Sequence, residues 1–283
     1  MQILLFCLPV LTVGGETEQQ SKDAYTGWQL AVQNWTFHKF SFFETIDKLD
    51  SLDVHWMEAY SNQPLGKEYP DVTFGPGMPD SLKNIVKEKL LQAEIKLINF
   101  GVVNLTRDRK ANAELFEFAG EFGIQTIISE PPMNALKVID KQCQEYGIRV
   151  ALHNHPEPSR YWNPETVKKA LKGRSSYMGV CGDTGHWMRS GIRPEKAVEM
   201  LADRLFCFHL KDLNAFGSKS AHDVPWGMGV LGFKDFLALL HNMGFKGTFS
   251  VEYEYNWYNS LDNVQQCVNN FIKIASTLPS GSK

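Results

Sequence analysis

Eight short apolar segments alternate with eight amphipathic segments along this chain, and this alternation is the feature that most constrains its fold. Short apolar runs bounded by turn residues are typical of buried strands, whereas apolar residues spaced three and four apart are typical of helices. Parallel strands need crossover connections, and eight strand and helix units can close into a ring. The pattern therefore predicts an α/β protein with a closed (β/α)8 barrel, a TIM barrel, in a single domain.

The predicted strands occupy residues 28–37, 53–61, 95–104, 124–132, 149–156, 178–183, 205–212 and 248–254. The predicted helices occupy residues 40–52, 81–94, 110–123, 133–147, 164–173, 193–203, 233–244 and 262–276. Residues 62–79 are rich in Pro and Gly and are too long for a simple turn, which indicates a loop that could cover a substrate. No linker or repeat divides the 283 residues.

The first residues differ from the rest of the chain. Residues 3–13, ILLFCLPVLTV, are apolar but too few to span a bilayer, and Gly14, Gly15 and a polar segment follow them. This is typical of a signal peptide, although no Lys or Arg precedes the apolar run. We therefore expect residues 1–20 to be a leader and residues 21–283 to form the barrel domain. The expected location is periplasmic or secreted, or cytoplasmic if the apolar run is not a signal.

Charge and cysteine content narrow the range of partners. The formal net charge is −3, which argues against nucleic acid and anionic membrane surfaces as partners. We expect no membrane insertion once the leader is removed. Residues 62–79 could form a homodimer contact as readily as a lid.

Beyond Cys7, the remaining cysteines form no CxxC pair and are predicted to be buried free thiols. They are Cys143, Cys181, Cys207 and Cys267.

Polar side chains of the types that bind metals follow the last predicted strands. Asp183, His209 and Glu252 lie at the ends of strands six, seven and eight, which are neighbours in a barrel. In such barrels the active site lies at the carboxyl ends of the strands. Two carboxylates and one imidazole suit one divalent ion such as Mn²⁺, Co²⁺, Mg²⁺, Fe²⁺ or Zn²⁺. The alternative is that these are separate polar residues that bind loop backbone.

A fourth ligand should come from strand four or five. Glu130 is preferred because it completes the carboxylate set, and His153 and His155 are the alternatives. Because they are two residues apart on a strand, both histidines should point the same way, with Asn154 turned outward. His186 lies three residues after Asp183, about one helical turn, and could hold a metal-bound water or a substrate oxygen.

Lysine and further polar groups share these strand faces. Lys211 shares the face of His209 and could stabilise an enolate or form an ion pair with Glu254 or Asp212. Tryptophans near strand ends, Trp35 among them, could stack on a sugar or pack in the core. Arg189 could bind an anionic substituent, but there is no Gly-rich phosphate cradle. The predicted substrate contacts are His155, His186, Trp187, Arg189, His222, Trp226, Glu254 and Trp257.

Four motifs resemble the xylose isomerase-like TIM barrel superfamily of sugar phosphate isomerases and epimerases, to which D-tagatose/D-psicose 3-epimerases, inosose dehydratases and endonuclease IV belong. They are HNHP (153–156), GDTGHW (182–187), FHLKD (208–212) and SVEYE (250–254). The resemblance implies a metal held by Glu, Asp, His and Glu from successive strands, of which Asp183, His209 and Glu252 match the last three. Relatives carry Glu-Asn-His on strand five, where this chain has His153-Asn154-His155, so either Glu130 or His153 would supply the first ligand.

The predicted function is that of a divalent-metal-dependent sugar isomerase or epimerase. Proton abstraction next to a metal-bound carbonyl would give an enediolate, and the candidate catalytic residues are Glu130, Glu252, His153 and Lys211. One alternative is a metal-dependent lyase or hydratase acting on 3-keto-glycosides, because loss of a β-substituent follows the same first step. A second alternative is a noncatalytic sugar-binding barrel. An endonuclease would need a basic surface for DNA, which the net charge disfavours.

Overall fold

The computed structural model describes residues 27–279. The predicted leader, residues 1–20, and the predicted start of the domain at residue 21 lie outside the described residues, as does Cys7. No helix within the described range is long and apolar enough to cross a membrane.

Eight parallel strands close into a barrel, which confirms the predicted architecture. The strands are β1 (Trp28–Gln33), β2 (Trp56–Ala59), β3 (Gln63–Gly66), β4 (Tyr69–Phe74), β5 (Lys96–Val103), β6 (Thr126–Ser129), β7 (Arg149–His153), β8 (Met178–Asp183), β9 (Leu205–Leu210), β10 (Asp212–Leu213), β11 (Asp223–Val224) and β12 (Gly247–Val251). The barrel order is β1-β12-β9-β8-β7-β6-β5-β2, and the remaining strands form two small antiparallel pairs. β1 pairs with β12 in register from Trp28 with Gly247 to Val32 with Val251, which closes the ring.

Helices follow the strands as predicted, and a short additional helix begins directly at the end of β8. The helices are α1 (Phe42–Ser51), α2 (Asp80–Gln92), α3 (Arg109–Glu121), α4 (Leu136–Tyr146), α5 (Pro164–Leu171), α6 (Thr184–Arg189), α7 (Pro194–Leu201), α8 (Phe233–Asn242) and α9 (Leu261–Ala275). Ser41 and Glu44 form a capping box that begins α1. Asn163 caps α5, where Pro164 occupies the first turn.

Two layers of apolar side chains stabilise the barrel. Inside the ring, Ile128, Ala151, Cys181 and Cys207 form a small buried cluster beneath the strand ends. Outside it, a continuous core lies between the strands and the helices. Fully burying one large apolar side chain contributes about 1.5–3 kcal/mol, so the rim can tolerate polar and charged residues.

Residues 62–79, for which the sequence predicted a loop that could cover a substrate, contain a hairpin over residues 63–74. β3 pairs antiparallel with β4, and Phe74 at the end of β4 is buried against the ring of Phe42 in α1, with 4.1 Å between the centroids. Leu65 in β3 is also buried. These apolar anchors attach the hairpin firmly to α1 and the barrel.

All four cysteines in the described range are buried and free, which confirms the sequence-based expectation. Burial raises the pKa of the Cys143 thiol to about 12, and burial also raises the pKa of Cys181 and Cys267. Thiolates, not thiols, react with alkylating agents. All four side chains are also buried away from reagents. We expect them to stay unlabelled by iodoacetamide in the native protein and to react fully in denaturant, as measured by peptide mass spectrometry. Rapid native labelling of any of the four would contradict this packing.

Candidate metal centre

Four side chains converge at the carboxyl ends of β7, β8, β9 and β12. They are His153, Asp183, His209 and Glu252, and one ligand-type atom of each lies within 4.8 Å of those of the other three. The His153 Nε2 atom is 3.6 Å from Asp183 Oδ2, and the His209 Nδ1 atom is 3.1 Å from Glu252 Oε2. All four side chains are buried. These four residues form the ligand group.

The local sequence at the end of β8 explains the position of Asp183. This residue is the N-cap of α6, and its Oδ1 accepts a 2.7 Å hydrogen bond from the backbone N–H of His186. The other oxygen, Oδ2, remains free to face His153 and Lys211. Gly185 is needed at this point because a Cβ atom there would lie 2.8 Å from the Lys211 side chain.

The Lys211 ammonium supplies positive charge to the carboxylates. Its Nζ atom lies 2.7 Å from Asp183 Oδ2, 2.5 Å from Glu252 Oε2 and 2.9 Å from Glu254 Oε2. Burial opposes protonation, but Asp183 and Glu252 raise the pKa of Lys211 well above its usual value. Burial also opposes ionisation of Glu252, yet Lys211 and His209 lower the pKa of this carboxyl. At neutral pH Lys211 therefore stays charged and holds the carboxylates in place.

Glu58, at the end of β2, belongs to the same buried cluster, although the sequence analysis did not select it. Its carboxylate contacts His209 Nε2 and accepts hydrogen bonds from Ser250 Oγ at 2.7 Å and Asn99 Nδ2 at 3.1 Å. Burial opposes protonation of His209, but Glu58 and Glu252 raise the pKa of His209 well above its usual value. The position of Glu58 at the end of a predicted strand was the signal that could have identified it.

Glu130 lies beside the ligand group. Its Oε1 is 3.7 Å from His153 Nδ1 and 3.0 Å from His155 Nδ1, and it accepts a 2.7 Å hydrogen bond from the backbone N–H of His155. Burial opposes ionisation of Glu130, but the two histidines lower its pKa. These three residues form a second, more exposed cluster of ligand-type atoms. The fourth position of the ligand group, for which the sequence favoured Glu130, contains the alternative, His153.

The ligand group fits a divalent metal ion. Imidazole and carboxylate are the donors that Zn²⁺, Mn²⁺ and Fe²⁺ bind in proteins. Within the described residues, both ring nitrogens of His153 and the Nδ1 atom of His209 are buried without a hydrogen-bond partner. Such orphaned polar atoms are costly, and a cation between the side chains would satisfy His153 Nε2 and His209 Nδ1.

A cavity of about 710 Å³ adjoins the ligand group. Of the predicted substrate contacts, His155, His186 and Glu254 line it together with Glu252. Burial lowers the pKa of His186 well below its usual value, so this imidazole is neutral at pH 7. These residues give one side of the cavity hydrogen-bonding groups beside the ligand group.

Most of the remaining lining comes from residues that the sequence analysis did not assign to the site. They are Gln33, His38, Tyr60, Ser61, Asn62, Pro64 and Val102, together with Trp35, which it had noted near a strand end. Trp257 lies at the edge of this region, where its ring contacts His38 edge-on with 4.3 Å between the centroids. Gln33 ends β1 and Val102 lies in β5, and the other lining residues follow β1 and β2 or lie in residues 62–79. The sequences of these segments contain none of the usual metal-binding patterns.

Two predicted substrate contacts are instead core residues. Trp187 and Trp226 have 0% and 1% of their surface exposed. The Trp187 ring packs so closely on Gly182 that a Cβ atom there would lie 2.6 Å away. Trp226 donates a 3.0 Å hydrogen bond to the carbonyl of Leu210 and packs against Phe233. Side chains with so little exposed surface cannot stack on a substrate, which removes both from the candidate contacts.

Arg189 and His222 do not line the cavity. Arg189 is held by Asp223, with 3.0 Å between its guanidinium nitrogen and Oδ2, and burial raises the pKa of Asp223 to about 7. The His222 ring stacks on Tyr255 with 4.3 Å between the centroids. Their expected contacts with a substrate therefore have no support in the geometry.

Two polar side chains beside the site bind backbone. Asn154 is buried and exchanges two hydrogen bonds with the backbone of Asp183, which ties β7 to β8. Asp212 does not pair with Lys211. Its carboxylate instead accepts hydrogen bonds from backbone N–H groups, including those of Gly227 and Leu231. Both side chains form hydrogen bonds with backbone groups of other segments, and spacing in the sequence does not reveal that these groups lie nearby.

Known proteins match this chain in both sequence and fold. The xylose isomerase-like TIM barrel family matches residues 132–273. An uncharacterised protein from Parabacteroides distasonis is 33% identical, with a TM-score of 0.72 over 87% of this chain and 99% of that chain. A D-tagatose 3-epimerase-like protein is 18% identical, with a TM-score of 0.67 over 87% of this chain and 98% of that chain.

A curated relative matches over a shorter region. Inosose dehydratase 1 from Bacillus cereus is 27% identical over 136 residues, which are 43% of this chain and 45% of the dehydratase. This chain therefore spans about half the length of the curated relative that it matches.

The contacts of Glu58 predict a large structural cost for its removal. Glu58→Ala would break the buried pair with His209 and leave that imidazole with Glu252 as its remaining carboxylate partner among the described residues, and breaking a buried pair costs about 3–5 kcal/mol. We expect a loss of this size in the free energy of unfolding, measured by urea denaturation of the metal-free protein. The isosteric Glu58→Gln variant should lose less, because the amide still accepts hydrogen bonds. Exposed Glu88 provides the control, and a Glu58→Ala loss no larger than that of Glu88→Ala would refute the assignment.

Proposed function

Because this chain belongs to the xylose isomerase-like TIM barrel family, we propose that it is a divalent-metal-dependent sugar isomerase or epimerase. The observation that carries this proposal is the convergence of His153, Asp183, His209 and Glu252 in one buried cluster. The buried imidazole nitrogens without partners support a metal at this cluster. The adjoining cavity provides room for a substrate.

The composition of the cavity favours an uncharged sugar. Among the described residues, those that line it include no Lys or Arg, and Glu252 and Glu254 contribute negative charge. Lys211, the ammonium group next to these carboxylates, is already paired with both of them, so a phosphorylated sugar would find no lysine or arginine at the lining to bind its phosphate. Hydroxyl groups suit the lining better, since histidine, amide and hydroxyl side chains can both donate and accept hydrogen bonds.

The residues around the cluster can move and hold protons. A divalent ion held by the ligand group would polarise a substrate carbonyl and stabilise the negative charge that develops when the adjacent carbon loses a proton. Glu252 lines the cavity as a carboxylate, the form that accepts a proton. His186 lines it as a neutral imidazole and can exchange a proton with a substrate hydroxyl. Lys211 orients Asp183 and Glu252 through its ammonium group.

Elimination is the second candidate reaction, favoured by the alignment with an inosose dehydratase. Loss of a substituent from the next carbon follows the same proton abstraction, so the same residues would serve both reactions. The fate of the substrate distinguishes them, because an epimerase or isomerase conserves the formula of the sugar and a lyase does not.

Metal analysis tests the ligand group directly. We expect the purified protein, incubated with Mn²⁺, Co²⁺, Fe²⁺, Mg²⁺ or Zn²⁺ and then dialysed, to retain about one equivalent of at least one of these ions by elemental analysis. Asp183→Ala and His209→Ala should lose it, because each removes a ligand atom, whereas Asp203→Ala, at an exposed position, should keep it. Loaded wild-type protein should also exchange carbon-bound hydrogen of a ketose for solvent deuterium, as detected by NMR. A wild-type protein that retains none of the ions would rule out the proposed function.

Glu130 provides a second prediction, since its carboxylate lies next to the Nδ1 atom of His153. A carboxylate that orients a metal-binding histidine typically strengthens metal affinity about 10–100-fold. We expect Glu130→Gln to weaken metal binding by a factor in this range, measured by competition with a chelating dye. Exposed Glu157, in the loop that follows β7, provides the matched control. Complete loss of binding, as deep as in Asp183→Ala, would instead identify Glu130 as a ligand.

A further inference from the structure

The cavity extends across the mouth of the barrel. In the strand order β1 is four positions from β7, and β2 is four positions from β8. Trp35 and Tyr60, which follow β1 and β2, therefore lie across the ring from His155 and His186, and all four line the same cavity. The cavity thus has two ends, one at His155 and His186 and one at an aromatic wall.

Four rings, linked by three pairwise contacts, build this wall. Trp35 stacks on His38 with 4.5 Å between centroids and an angle of 17°, and it meets Tyr60 edge-on at 5.2 Å. The Trp257 ring contacts the His38 ring edge-on. These four residues form the aromatic strip. Its contacts hold Trp35 in place while 40% of that residue stays exposed, so a rigid indole surface is available to a ligand.

The polar groups beside the strip are of the kind that bind sugar hydroxyls. Ser61 and Asn62 line the cavity next to it, and Tyr60 contributes a phenol. Burial raises the pKa of Tyr60 to about 12, so its hydroxyl remains protonated and can donate a hydrogen bond. An aromatic face with hydroxyl and amide groups at its edge is suited to the alternating C–H and O–H surface of a pyranose.

The size of the cavity exceeds what one sugar requires. Pockets of about 300–1,000 Å³ hold drug-sized ligands, and the observed 710 Å³ leaves substantial space beyond a single pyranose at the ligand group. Because the strip lies across the barrel mouth from His155 and His186, a monosaccharide bound beside these histidines leaves the strip open.

We infer that the aromatic strip is a second ring subsite, and that the substrate is an uncharged glycoside with one ring at the ligand group and a second ring stacked on Trp35. The placement of the reacting ring rests on the proposed function, whereas the stacking of the second ring rests on the strip alone. The second ring is a pyranose or an aryl aglycone, since both present a flat face to an indole.

Binding by isothermal titration calorimetry tests this subsite without requiring turnover. The probes are glucose, the disaccharides cellobiose, maltose and sucrose, and 4-nitrophenyl β-glucoside, each titrated into the metal-loaded protein. We expect at least one two-ring probe to bind about tenfold more tightly than glucose. Tighter binding of a disaccharide would identify the second ring as a pyranose, and tighter binding of 4-nitrophenyl β-glucoside would identify it as an aryl aglycone.

Variants locate the gain in affinity. Trp35→Ala should abolish the two-ring advantage, and Trp35→Phe should restore part of it because a phenyl ring still stacks. Trp56→Ala is the matched control, since Trp56 begins β2 and lies at the opposite end of the barrel. Circular dichroism of each variant checks that the fold is retained.

The outcomes separate this inference from the proposed function. Equal affinity for one-ring and two-ring probes, an advantage that survives Trp35→Ala, or no binding of any probe would overturn the subsite. If the two-ring advantage depends on Trp35 but the protein retains no metal, the subsite stands and the proposed function fails. If the protein retains metal and exchanges hydrogen of free ketoses but shows no two-ring advantage, the proposed function stands and the subsite fails.

Discussion

Pairing of β1 with β12 closes the barrel, and the candidate site depends on this closure. The strands are all parallel, so their carboxyl ends share one rim. Closure brings Glu252 after the last strand beside Glu58 near the end of the second, and both contact His209. An open sheet with the same strands would leave these two carboxylates at opposite edges.

Burial of so many charges at the rim is tolerable because each charge has a partner. Two charges removed from water recover their desolvation cost only through close, hydrogen-bonded contacts. Lys211 meets this condition with Asp183 and Glu252. A metal ion at the ligand group would share these two carboxylates with the lysine, so the lysine also influences how strongly the group attracts a cation.

The two histidines of the ligand group have a common arrangement. His209 presents Nδ1 to Glu252 and Nε2 to Glu58, and His153 presents Nε2 to Asp183 and Nδ1 to Glu130. A carboxylate beside the second ring nitrogen orients the imidazole and increases its basicity. Glu58 and Glu130 thus have similar positions on two sides of the cluster, although only Glu130 was recognised from sequence.

Local pattern was sufficient for the fold and for much of the cluster. Apolar periodicity placed the eight barrel strands and their helices, because both kinds of element repeat a short-range pattern of buried positions. Strand-end position selected Asp183, His209 and Glu252, since parallel strands deliver their last residues to one rim. It did not distinguish Trp187, which is buried, from Trp35, which is exposed, because both follow strand ends and only packing separates them.

The sequence by itself determined the barrel and indicated several strand ends that carry side chains of the types that bind metals, because hydrophobic period and residue type are local properties. Only the tertiary structure decided that His153 lies in the ligand group with Glu130 beside it, and that Glu58 contacts His209. It also decided that Trp35 and the hairpin form the far side of the cavity. These outcomes depend on distances of a few ångströms between strands that are remote in sequence, and closure and packing of the ring set those distances.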